Sequence, residues 1–312
     1  MLSAEPWKPD AVMRLLLSVF VCYVAGSLVL CLMRYAGAGA KAGYGVYILA
    51  GAALVCFGAT LAGLHKPWKL EDMLRRRSVP SLSYYVALMA CFYAGILFGA
   101  LGLRLAGSLG SAVPTTGQLV VTSLSFHGAA LVFIWCFLRE HRTDAPEAFG
   151  FANNWPHALL FGLMLASAFL PLGWGLQWLS AQVMTHVTFL PFSPEEQLSV
   201  QTLRAAGSLG QRLVLGVVTI ALAPVAEELL FRGILFPWIK QAGFPRLALW
   251  GTSLVFALMH LNAASFVPLF VLAVALALLY ERMDNLLAPM AAHALFNGLN
   301  FMMLFWVDRQ PL

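Results

Sequence analysis

Along this chain, apolar residues gather in windows of about twenty, separated by short clusters of charge, proline or glycine, the length a helix needs to cross a bilayer. Nine such windows are candidate helices, near residues 11–33, 44–64, 82–106, 118–138, 157–180, 211–239, 246–262, 266–281 and 286–307. The first is too long and too poorly followed by small residues to be a cleaved signal segment, so it reads as a span. The seventh and eighth are short and joined by "LNAAS". The pattern predicts an all-α fold, a polytopic transmembrane helical bundle of about nine spans, with eight as the alternative count. The last four form its core.

Composition agrees. Of 312 residues, 61% are hydrophobic and 11% charged, with a mean hydropathy of +0.80. A soluble domain carries about 25% charged residues, so a water-facing surface is excluded. Cys22, Cys31, Cys56, Cys91 and Cys136 all lie in apolar segments of the first half, without metal-motif or disulfide spacing. The second half therefore has no thiol nucleophile.

The net charge of +5 sits in short loops, five Lys/Arg falling in "HKPWKLEDMLRRR" alone. Placing that loop in the cytoplasm sets the N-terminus inside and the C-terminus outside. The charge thus reports orientation, and no nucleic-acid partner is expected. Three regions follow: 1–180 with about five spans, 181–210 as an extracytoplasmic polar connection, and 211–312 as the catalytic candidate. Gly95 and Gly99 suit helix packing and nothing more.

The last region puts charge into hydrocarbon. In "APVAEELLFRG", Glu227, Glu228 and Arg232 interrupt an apolar run, each at an insertion cost on the order of 3 kcal/mol. Glu228 and Arg232 are four apart, share a helix face and can pair. Glu227 is rotated by about 100° and lacks that local partner. Pro224 just upstream should kink the helix and release a backbone carbonyl. Two further polar sets follow: Phe256 and His260 in "FALMH", and His293 and Asn297 in "HALFN", each pair one turn apart. His65, His127, His141, His157 and His186 fall in loops, near span ends or alone, and ask for no special role.

Polar residues on three apolar helices can satisfy one another only by converging. A carboxylate in a dry pocket is a candidate general base, a neighbouring histidine can orient water, and a second histidine with an amide can face an oxyanion. Those parts suit amide hydrolysis. They also suit a zinc site with His and Glu ligands or a proton relay in a transporter, although no HExxH helix is present.

The three sets, in order, resemble the EExxxR, FxxxH and HxxxN motifs of the CAAX-protease and bacteriocin-processing family, the Abi or Rce1-like intramembrane proteases. The resemblance covers about residues 211–307 and implies an intramembrane endopeptidase of the CAAX prenyl protease 2 type, usually described as a glutamate protease. It implies that Glu227 and His260 activate water and that His293 and Asn297 form the oxyanion site. Glu228, Arg232 and Phe256 would support them. Family members have also been described as metalloproteases. No catalytic metal or other cofactor is expected here, a divalent ion being the open alternative.

The expected partners are membrane lipids and a membrane-associated or lipidated peptide, of C-a-a-X or bacteriocin type. The expected location is the plasma (inner) membrane of a bacterium. Two other classes stay open: a non-catalytic binding or bacteriocin-immunity protein, and a proton-coupled transporter using Glu227.

Overall fold

The computed structural model describes residues 7–37, 113–186 and 196–307. Among them every element is helical: α1 (Pro9–Gly37), α2 (Thr116–Glu140), α3 (Ala145–Phe149), α4 (Trp155–His186), α5 (Leu198–Arg204), α6 (Leu209–Gln241), α7 (Pro245–Met259), α8 (Ala263–Met283) and α9 (Leu287–Val307). The protein is an all-α polytopic helical bundle. The expected spans at 44–64 and 82–106, with the basic loop that set the orientation, lie outside the described residues.

Five described segments are long and apolar enough to cross a membrane: Pro9–Ser27 within α1, then α2, α4, α6 and α8. The window near 246–262 folds as the 15-residue α7. At 1.5 Å per residue such a helix is about 22 Å long, shorter than the about 30 Å of hydrocarbon that a full span must cross. His260 caps its C-terminal end.

The chain divides into two compact units, Trp7–Phe137 and the part from Leu138 onward. In the first, α1 packs on α2 through Trp7 against Phe137 and Tyr23 against Phe126, both edge-on.

The second unit holds all three polar sets. Helix α4, which the sequence grouped with the N-terminal region, lies along α9 and α8. Gly162 makes the close approach possible, because a Cβ there would collide with the Ala288 carbonyl oxygen. A clasp fixes the start of α9. Fully buried Asn285 donates to the carbonyl oxygens of Phe151 and Asn153 and accepts from Leu287 N, while Leu286 N donates to Phe149 O at 3.0 Å. Gly150 makes the facing turn at φ +69°, where any Cβ would strike the Asp284 carbonyl.

The polar connection after α4 reaches α6 through a reciprocal cap. Ser208 Oγ accepts from Gln211 N at 3.2 Å and Gln211 Oε1 accepts from Ser208 N at 3.2 Å, which satisfies two of the first-turn donors. Helix α6 is not uniform. A six-residue α segment, Ala223–Glu228, is flanked by π-helical stretches at Val218–Leu222 and Leu229–Leu235. The two glutamates end that α segment, and Arg232 sits inside the second π stretch.

Candidate active site

Glu228 and Arg232 pair as their spacing requires. Arg232 Nη1 donates to Glu228 Oε1 at 2.8 Å, with side chains 1% and 0% exposed. Arg232 Nη2 donates to the Ala273 carbonyl on α8, also at 2.8 Å, and the guanidinium carbon stands 4.7 Å from the centroid of the Phe256 ring. The arginine thus ties α6 to both α7 and α8. Nothing in the sequence marked Ala273, because it contributes only its backbone oxygen.

Glu228 also reaches α9. His293 Nδ1 lies 2.9 Å from the same Oε1. A carboxylate accepts, so Nδ1 donates and Nε2 is the other working end of the ring. Glu227 Oε2 lies 3.9 Å from that Nε2. Helical rotation suggested that the two glutamates look in different directions. They do, yet they meet the two nitrogens of one imidazole, because His293 stands opposite the seam between those directions. His293 is buried.

Phe256 is central to the packing. Its ring lies 5.1 Å from the His260 ring, 5.7 Å from the His293 ring and 5.4 Å from the Phe231 ring, centroid to centroid. His260 Nδ1 lies 2.9 Å from the Phe256 carbonyl oxygen, so this ring too carries its hydrogen on Nδ1, and Nε2 holds the lone pair when neutral. His260 is half-buried and precedes Leu261, a non-glycine residue at φ 50°. Asn262 then caps α8, its Oδ1 accepting from Ser265 N and Oγ. Gln197 donates to Ser265 Oγ at 2.9 Å, joining the start of α5 to this turn.

Asn297 sits on the other side of the cluster. Its Nδ2 donates to the Thr219 carbonyl oxygen at 3.0 Å, in the first π stretch of α6. The structure therefore joins Glu227, Glu228, Arg232, Phe256 and His293 directly, attaches His260 through Phe256, and anchors Asn297 to the backbone of α6.

A metal does not fit this arrangement. Among the described residues no three His, Cys, Asp or Glu side chains converge as a ligand set, and Glu228 Oε1 already carries an arginine and an imidazole.

The family model described as type II CAAX prenyl endopeptidase Rce1-like matches residues 209–299. This segment is similar to an Rce1-like domain, in agreement with the motifs it carries. It begins at the first residue of α6 and ends within α9, so it contains all seven site residues and the contacts among them. No curated protein and no solved structure matches the chain. With the family match and its apolar helices, the chain is an integral, multi-pass membrane protein.

Proposed function

We propose that the protein is an intramembrane endopeptidase that cleaves a membrane-associated peptide with water activated by Glu227 and His260. The observation that carries this reading is the His293 ring, held at Nδ1 by Glu228 and approached at Nε2 by Glu227. The match of the segment to an endopeptidase family supports it.

Glu227 takes a proton from water as the oxygen attacks the scissile carbonyl carbon, and His260 orients that water through Nε2. The developing oxyanion is met by N–H donors from Asn297 and from His293 when Nε2 is protonated. On collapse the C–N bond breaks and the proton held by Glu227 passes to the leaving amine. Glu228 and Arg232 hold His293 in place and do not touch the substrate. Oxyanion donors of this kind are worth 10²–10³ in rate, roughly, and a positioned base 10²–10⁴.

The substrate we propose is a lipidated peptide of the C-a-a-X kind, with a bacteriocin-type leader as the second candidate. Mass spectrometry of a peptide panel, with protein purified in lipid, tests both. The panel holds prenylated C-a-a-X peptides, their unlipidated forms and leader-like peptides. Cleavage by the wild type and none by Glu227→Gln supports the reading. Absence of cleavage by folded wild type overturns it in favour of a binding protein, and proton-driven flux into sealed vesicles would favour a transporter.

A further inference from the structure

Helix α6 changes register just before its glutamates, and the change leaves one carbonyl without a backbone donor. In an α-helix, Thr219 O would accept from Ala223 N. Here Ala223 N–H reaches back five residues, to Val218 O. In that π register the donor for Thr219 O would be the N–H of residue 224. Residue 224 is proline and has none. The carbonyl is served instead by Asn297 Nδ2 from α9, at 3.0 Å. The same slip precedes Pro237, where Phe236 N–H reaches Phe231 O, so a π stretch comes before a proline twice in this helix.

A carbonyl only accepts, so it selects the nitrogen end of the Asn297 amide. One of the two N–H bonds is committed to Thr219. The second N–H and Oδ1 then point in fixed directions.

We propose that Pro224 is a positioning residue for the oxyanion site: by depriving Thr219 C=O of a backbone donor, it makes that carbonyl the anchor that orients the Asn297 amide. This rests on the endopeptidase reading for its catalytic consequence, though the anchoring itself does not. Pro224→Ala restores an N–H at position 224. Thr219 O then receives a backbone donor in the π register, or takes Ala223 N–H if the helix returns to the α register. In either case Asn297 is no longer the sole donor to Thr219 O and must share or yield that oxygen, so its anchor weakens and its removal no longer strands the carbonyl.

The test is a double-mutant cycle in thermal stability, read on the full chain in lipid. Asn297→Ala alone strands the Thr219 carbonyl and should lower Tm by about 2–4 °C. In the Pro224→Ala background its effect should be close to zero. In the Pro237→Ala background it should equal that in the wild type. Equal Tm losses in all three backgrounds overturn the proposal. If Asn297→Ala does not accumulate, Asn297→Leu keeps the volume without the donor. Rescue of its yield by Pro224→Ala, and not by Pro237→Ala, is then the supporting result, and equal yields overturn the proposal.

On a peptide the wild type cleaves, Pro224→Ala should lower kcat about tenfold at unchanged KM. That is less than the 10²–10³, roughly, expected for deleting an oxyanion donor. Unchanged kcat would overturn the catalytic half of the proposal. If the wild type cleaves nothing, the Tm cycle still decides whether Asn297 is anchored as described, so the two failures stay distinct.

Discussion

The cluster has two sides built on different principles. On the inner side, Glu228, Arg232 and His293 bond to one another, with exposures of 0%, 1% and 2%. On the outer side, His260 and Asn297 are half-buried, and each is oriented by a backbone carbonyl, Phe256 O or Thr219 O. The inner side is a cross-brace: its bonds run from α6 to α8 and from α6 to α9. Charges buried together hold helices in register, since separating them strands a charge in low dielectric. A carbonyl anchor orients a polar group and adds no charge partner, which suits groups that must meet a substrate. Glu227 lies at the boundary, directly after Ala226 in the α segment and facing His293 Nε2.

The largest effect should come from breaking the brace. Arg232→Ala removes the partner of Glu228 and the bond to Ala273, and should destabilise the fold by roughly 3–5 kcal/mol. Folded yield and Tm in lipid read this directly. Arg232→Lys should recover only part of the loss, because one ammonium cannot fork to Glu228 and Ala273 while lying flat on Phe256. Wild-type Tm in Arg232→Ala would mean that the brace is no brace, and the contrast between the two sides would collapse.

On the outer side the order reverses. His260→Ala should reduce turnover by about 10²–10⁴ and shift stability by no more than about 1 kcal/mol. Turnover is read on whichever peptide the wild type cleaves, and stability by the same thermal scan as above. A stability loss matching that of Arg232→Ala would move His260 to the inner side, making it a packing residue of Phe256.

Much of this division was legible in the sequence, and the reason is the solvent. In hydrocarbon a charged or amide side chain must find a partner, so "EELLFR", "FALMH" and "HALFN" identified the converging residues, and the i,i+4 spacing gave the Glu228–Arg232 bond outright. Helical periodicity could not supply the contacts between helices. Whether His293 would meet Glu227, Glu228 or both depends on the rotation of α9 against α6. Backbone acceptors were equally hidden, since Ala273 and Thr219 act through atoms that every residue has. The π stretches left one trace, prolines at 224 and 237, and proline alone reads as a kink. The length of α7 was overestimated because "FALMH" stays apolar up to the histidine. Hydropathy does not register the left-handed turn at Leu261 that ends the helix.

The smallest effect sharpens where the outer side ends. Asn300 lies one turn beyond Asn297 on α9 and accepts at Oδ1 from Trp174 Nε1 of α4 at 2.9 Å, while its Nδ2 donates to Phe296 O. Both ends of this amide are taken, one by a side chain and one by its own helix, and neither partner belongs to the cluster. Trp174→Phe keeps the aromatic packing and deletes one hydrogen bond, which should cost about 1 kcal/mol and leave turnover unchanged. A fall in kcat larger than this stability loss would mean that Asn300 helps set the pose of α9 at Asn297. The outer side would then extend a full turn along the helix, and α4 would share in positioning the oxyanion donors.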